Sequence, residues 1–204
     1  MNPASDDARS RRGDGYSAIT NAAREIFSEH GYSGTSIRDI ARKAGLSLSA
    51  LYYWYPSKQA LLAAIIDDAD RDYRTRYDEA LEDAGDDPAA RLAALVRATI
   101  EFRVDRRIDS AITASELRNL DQTHHADLRA LNRRATGVWK EIIESGIAAG
   151  VFTCQYPDEA RRTVIAACNA VAQWYRTGGD VSREQLVERY INIAYRVVQY
   201  QPAT

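Results

Sequence analysis

Apolar residues recur along this chain at three- and four-residue intervals, while strict alternation is hard to find. That is the period of helices with one buried stripe, not of half-buried strands. The first stripe is Ile19, Ala23, Ile26 and Phe27, in a helix read from Tyr16 to His30 and closed by Gly31. Ile37, Ile40, Ala41 and Ala44 form a second, and Leu51 with Trp54 a short third. A long stripe follows through Leu61, Leu62, Ile65, Ile66, Ala69, Tyr73 and Tyr77. Its helix, from about Ser57 to Glu82, would be a rod of roughly 38 Å at 1.5 Å per residue. Leu92, Leu95, Val96, Thr99, Ile100 and Phe102 mark the next helix, and residues 109–120 a shorter one. Leu128, Leu131, Ala135, Val138, Trp139, Ile142 and Ile143 predict a helix to about Ala149. Two more stripes close the chain: Val164, Ile165, Cys168, Val171, Ala172 and Tyr175, then Leu186, Val187, Tyr190, Ile191, Ala194, Val197 and Val198. Punctuation falls between them, at Pro56, Gly85-Asp-Asp-Pro88, Gly150 and Gly178-Gly179, and Ser182-Arg-Glu-Gln185 reads as a capping box. The expected fold is all-α, with about nine helices.

The stretch Thr35–Lys58 carries the most specific pattern. Ala41 is small enough to sit where two helices cross, Gly45 follows four residues later, and Leu51 ten later. A glycine at that point ends the first helix in a left-handed turn at little cost. Ser47 then caps a second short helix, which Pro56 ends. Two short helices joined this way form a helix-turn-helix unit, in which the second helix enters the major groove of DNA. With the helix before it, the unit makes a three-helix head over residues 15–60. Residues 61–204 are then a helical body, and residues 1–14 a disordered tail whose Arg9, Arg11 and Arg12 could form a basic arm.

Charge changes this picture slightly. The 204 residues carry 27 Lys+Arg against 29 Asp+Glu, a net charge of −2, but residues 1–60 carry 8 against 6. A basic head on an acidic body suits a protein that meets phosphate at one end. No apolar run approaches the roughly 20 residues that span a bilayer, and the N-terminus lacks the apolar core of a signal peptide, so a cytoplasmic protein with no membrane partner is expected. Cys154 and Cys168 read as small core residues. His30, His124 and His125 have no neighbouring ligands at metal spacing, and no nucleophile pair or phosphate-cradling glycine loop is present. No catalytic residue, cofactor or metal is expected.

Phe27-Ser-Glu-His-Gly-Tyr32, Thr35-Ser-Ile-Arg-Asp-Ile-Ala41, Ala44-Gly-Leu-Ser47 and Leu51-Tyr-Tyr-Trp-Tyr-Pro-Ser-Lys58 resemble the DNA-binding head of the TetR family of transcriptional regulators. The resemblance runs from about Tyr16 to Leu62. It implies base contacts from Arg38 and the start of the recognition helix, Leu48, Ser49, Ala50, Tyr52 and Tyr53. Tyr52, Trp54 and Lys58 are implied to meet phosphates, with Thr35 and Ser36 capping a helix whose N–H groups suit another. Trp54 and Tyr55 depart from the family, which often has His or Tyr and then Phe there, so a packing role for Trp54 gains. By the residues alone, Arg38 is the side chain able to grip guanine with two bonds, and Tyr55 belongs in the core.

The resemblance further implies a homodimer through the last two long helices, bound to a palindromic double-stranded DNA operator, and a small-molecule effector in the body that releases a repressor. Asn132-Arg-Arg, Val138-Trp139, Ile147-Ala-Ala-Gly-Val-Phe152 and Trp174-Tyr-Arg-Thr-Gly-Gly179 resemble regulators of fatty-acid and steroid breakdown that sense acyl-coenzyme A thioesters. On that basis Arg133, Arg134 and Arg176 would meet nucleotide phosphates, and apolar residues around Trp139, together with Trp174, would hold the acyl part. The alternatives are a different apolar or aromatic effector, a helical coenzyme-A-binding enzyme, or an adaptor that has lost DNA binding.

Overall fold

The computed structural model describes residues 3–202, with side chains from residue 15 onward. Among the described residues nine α-helices follow one another: α1 Pro3–His30, α2 Ile37–Lys43, α3 Leu48–Trp54, α4 Lys58–Ala84, α5 Pro88–Asp105, α6 Arg107–Glu116, α7 Gln122–Ala148, α8 Pro157–Trp174 and α9 Arg183–Val197. A 3₁₀ turn, Leu117–Asn119, separates α6 from α7. No strand occurs among the described residues beyond one isolated bridge between Phe152 and Tyr200. The backbone of α1 is helical from Pro3, where a disordered tail was expected; proline is well suited to the first helical position because it has no N–H to satisfy. The side chains of the expected basic arm lie outside the described residues.

Two compact units result, one of residues 1–69 and 108–125, the other of residues 70–107 and 126–204. In the first, Ile19, Ala23, Phe27, Ile40, Ala41, Leu51, Tyr55, Leu61, Leu62, Ile65, Ile66 and Ile112 are buried. The turn between α2 and α3 closes as a Schellman motif: Leu46 N–H donates to Ala41 O (2.9 Å), Gly45 N–H to Arg42 O (3.2 Å), and Gly45 sits at φ +69°. In the second unit α5 packs against α8 and α9. Its core joins Leu92, Leu95, Val96 and Ile100 to Trp139, Ile142, Ile143, Val164, Cys168, Val171, Leu186 and Val198. Both cysteines are buried free thiols, and burial pushes Cys168 up to about 12. The capping box at Ser182 forms with both of its bonds. Helix α8 stops at Trp174, two residues before the expected Arg176, because Tyr175 turns extended and its hydroxyl donates to Val181 O (3.1 Å).

Candidate nucleic-acid interface and effector groove

The interface is built by α2 and α3. Ser36 caps α2, its hydroxyl accepting from Asp39 N–H (3.2 Å) and donating to the Asp39 carboxylate. That hydroxyl, backed by Arg42, holds the Asp39 carboxyl below the usual carboxylate range. Ser47 caps α3 by accepting from Ala50 N–H (3.1 Å). Tyr53 is 72% exposed and Tyr52 46% exposed. Ser49 and Arg38 are also exposed, while Leu48 and Ala50 are half-buried. Ser49 shares a hydrogen bond with Ser47 (3.0 Å), so its hydroxyl is already oriented. Arg42 and Lys43, outside the expected set of contacts, are also exposed. They sit 3.1 Å from Asp39 and 2.7 Å from Glu25. Among the described residues Arg38 forms no ion pair, which leaves its guanidinium available to a base edge or phosphate.

Three residues expected at the interface have inward duties. Thr35 is only 3% exposed and its hydroxyl donates to Gly31 O (2.7 Å), so it ties the turn before α2 and does not share in the cap. Two adjacent hydroxyls cannot both take the one N-cap position; Ser36 takes it, and the branched threonine buries its methyl. Lys58 Nζ donates to Tyr32 O (2.6 Å) and Thr35 O (2.7 Å) and lies 4.1 Å above the Tyr32 ring. Two of its three N–H donors are thereby used within the head. Burial holds the Lys58 amine below its usual value, with Glu116 pulling the other way. Trp54 is half-buried and meets Tyr16 edge-on at 6.4 Å and Tyr53 at 5.3 Å. This is the packing role its departure from the family pattern suggested. Tyr55 is buried beside Tyr16, and burial raises its phenol far above the ordinary value.

In the second unit an open groove of about 570 Å³ is lined by Arg129, Asn132, Arg133, Thr136, Gly137 and Lys140 of α7 and by Arg161 of α8. Arg133 alone of the five residues expected to meet a ligand lies in it. Its neighbour Arg134 is exposed but does not line it. Trp139 is 2% exposed in the core. Trp174 is 50% exposed and stacks on Tyr190 at 6.5 Å. Arg176 is exposed and donates to the carbonyls of Gln173 and Tyr175. The groove's other cations were nonetheless visible in the sequence. Arg129, Asn132, Arg133, Thr136 and Lys140 stand at i, i+3, i+4, i+7 and i+11, the spacing of one helical face. Among the described residues no cluster of side chains could hold a metal ion, and no helix is long and apolar enough to cross a membrane.

Comparison with known proteins agrees with this geometry. The pattern described as "Bacterial regulatory proteins, tetR family" matches residues 19–65. The pattern "Tetracyclin repressor-like, C-terminal domain" matches residues 85–198, more than half of the chain. The HTH-type transcriptional repressor KstR2 of Rhodococcus jostii is 28% identical over 193 residues, covering 94% of each chain. A solved bacterial regulatory protein in the tetR family from Rhodococcus RHA1 superposes with a TM-score of 0.83 at 27% identity, over 92% of this chain and 98% of that one. AibR, solved in complex with isovaleryl coenzyme A and operator DNA, shares the fold with a TM-score of 0.80 at 20% identity, over 92% of this chain and all of that one. With the helix-turn-helix head matched in the first unit and the repressor-type body in the second, the chain belongs to the tetR family: it is a DNA-binding transcriptional repressor and not an enzyme.

Proposed function

We propose that this repressor is a cytoplasmic homodimer that binds a palindromic operator and is released by a small-molecule effector with an anionic head, in the manner of an acyl-coenzyme A thioester. On the DNA side, Arg38, Ser49, Tyr52 and Tyr53 reach base edges, with Leu48 and Ala50 offering apolar contact at the mouth of the major groove. Phosphates are met by Tyr52, by the α2 end at Ser36 and by the third N–H of Lys58, while Trp54 braces α3 from behind. Dimerisation through α8 and α9 is supported by the large apolar side chains they leave in solvent: Trp174, even where it stacks on Tyr190, and Ile193 are both about half exposed. A helical pair of this kind buries its stripe against a second copy.

The observation that carries the effector reading is the row of Arg129, Arg133, Lys140 and Arg161 around one groove. Guanidinium groups bind phosphate with paired bonds, and several on one wall suit a polyanion such as a nucleotide diphosphate. AibR, which shares the fold, is solved in complex with isovaleryl coenzyme A, and this supports the reading. Arg134 stands next to Arg133 at the groove's edge and Trp139 supports the α7 wall from within the core, whereas Trp174 and Arg176 lie roughly 20 Å farther along, at the end of α8, and do not share in the anion site. Titration calorimetry with coenzyme A and with short- and long-chain acyl-coenzyme A tests the reading. Binding that falls at least about tenfold in Arg133→Ala is expected, the scale of one charge-assisted pair. Equal affinity in the variant, or no binding of any coenzyme A species, overturns it.

A further inference from the structure

Arg24 on α1 stands behind the recognition surface and not on it. Its Nε donates to Asp109 Oδ1 on α6 at 2.7 Å, and its Nη2 donates to Asp68 Oδ2 on α4 at 2.7 Å. One planar side chain thus bridges three helices of the first unit. Asp109 is buried, and the Arg24 side chain is mostly so. A guanidinium presents its donors in a rigid fork, so both bonds hold only while α4 and α6 keep their spacing across α1.

The same bridge reaches toward α3. Tyr55, the residue that ends α3, is buried in the electrostatic field of both Arg24 and Asp68 and packs on Tyr16 of α1 (5.8 Å between ring centroids). Helix α1 supplies Ile19, Ala23 and Phe27 to the core beneath the head. A second tie lies at the far end of α6. Buried Glu116 faces Gly31, the residue that closes α1, and receives Asn119 Nδ2 (2.6 Å). Gln59 of α4 donates to Asn119 O (3.0 Å). Helix α6 is therefore tied to α1 and α4 near its start by Arg24, and to α4 again just past its end by the bond from Gln59 to the 3₁₀ turn.

We propose that Arg24 is a positioning residue for operator recognition, which by bridging Asp68 and Asp109 fixes the pitch of the three-helix head so that two heads meet half-sites of one spacing. The inference rests on the reading of a dimer bound to two half-sites. Arg24 touches no base; it acts through Tyr55 and the α1 platform under α3. Arg24→Lys keeps the positive charge but replaces the fork with a point donor that cannot satisfy both carboxylates in the same geometry. Its effect belongs in the discrimination between spacings, whereas loss of a phosphate contact changes the salt dependence of binding.

The experiment uses the full chain and a duplex that the wild-type protein selects from a random pool. Fluorescence anisotropy measures affinity for that duplex and for duplexes with one base pair inserted or deleted between the half-sites. Arg24→Lys and Asp68→Asn are each expected to compress the wild-type ratio between correct and altered spacing by about tenfold, the scale of a coupling between structural elements. The slope of affinity against salt stays as in the wild type. Asp68 is the more exposed partner, so Asp68→Asn decides the matter if Arg24→Lys fails to fold. An unchanged spacing ratio overturns the proposal, whether binding weakens uniformly or only the melting temperature falls. If the wild type selects no duplex, the operator reading and this inference fall together; if it selects one and the variants keep its ratio, this inference alone fails.

Discussion

Lys58 is the residue at which structure and motif make different demands, and Lys58→Met separates them. Methionine keeps the aliphatic stem and removes the ammonium. The variant loses donors to Tyr32 O at 2.6 Å and Thr35 O at 2.7 Å, and the cation 4.1 Å above the Tyr32 ring. A hydrogen bond from a charged donor contributes about 1.5–3 kcal/mol, but Lys58 is only half-buried, so solvent screening brings each bond to about 1 kcal/mol. A cation over an aromatic ring at a partly exposed site adds about 0.5–1 kcal/mol. The free protein should lose about 2–3 kcal/mol. For a chain of this size each kcal/mol moves the melting temperature by about 2–4 °C, so a fall of about 4–12 °C is expected by calorimetry without DNA. Two turn carbonyls lose their partner, so the loss should appear in the transition that unfolds the head. If the third N–H meets phosphate, the slope of log affinity against log salt also drops by about 1 per head. A melting temperature within about 1 °C of wild type, less than about half a kcal/mol at this size, would refute the assignment of Lys58 as a brace of the turn before α2.

Three further outcomes follow from particular contacts. A Cβ on Gly146 would stand 2.1 Å from Cδ2 and 2.3 Å from Cε2 of fully buried Phe152. The ring has no room to swing away, because Phe152 is packed in the core, and its backbone is tied to Gly146 O (3.0 Å), so Gly146→Ala should cost about 3 kcal/mol by denaturant melts. Asp105 accepts from Arg76 and Arg183; burial pushes its carboxyl up, but these two arginines outweigh that and hold it below the usual value. A depressed carboxylate contributes stability that is present above its unfolded value, near 3.9, and lost as pH falls through the folded one. Asp105→Asn should therefore be less stable than wild type at neutral pH and show a flatter decline in acid, seen in melts from about pH 6 to 2; parallel curves would count against it. Arg38 is exposed, so Arg38→Ala should leave stability within about 0.5 kcal/mol while relaxing preference at one base pair by about 1–3 kcal/mol in competition binding.

Much of the fold was legible in the sequence because helices announce themselves twice, in the spacing of apolar residues and in their end signals. Gly45 takes the left-handed turn and Ser182 with Gln185 closes the capping box, since each follows from chemistry within four residues. What was not legible depends on contacts distant in sequence. Nothing near Lys58 reveals that carbonyls 23 and 26 residues earlier compete with phosphate for its protons. Arg24 sits on an amphipathic helix like any surface arginine until α4 and α6 bring Asp68 and Asp109 to it from 44 and 85 residues away. The effector residues fall between these cases. Trp139 shares its stripe with Ile142 and Ile143, which marks it as core by periodicity alone. The cationic row from Arg129 to Lys140 follows the same rule on the opposite demand, yet adjacent arginines drew attention to Arg134, which lies outside the groove.

The most direct test is selection of DNA from a random pool by the purified full chain, followed by anisotropy on the enriched duplex over a range of salt. Enrichment of a sequence with two-fold symmetry is expected, bound with steep salt dependence and released when acyl-coenzyme A is added. A pool that remains random after selection would contradict the assignment of α2 and α3 as a DNA-reading surface.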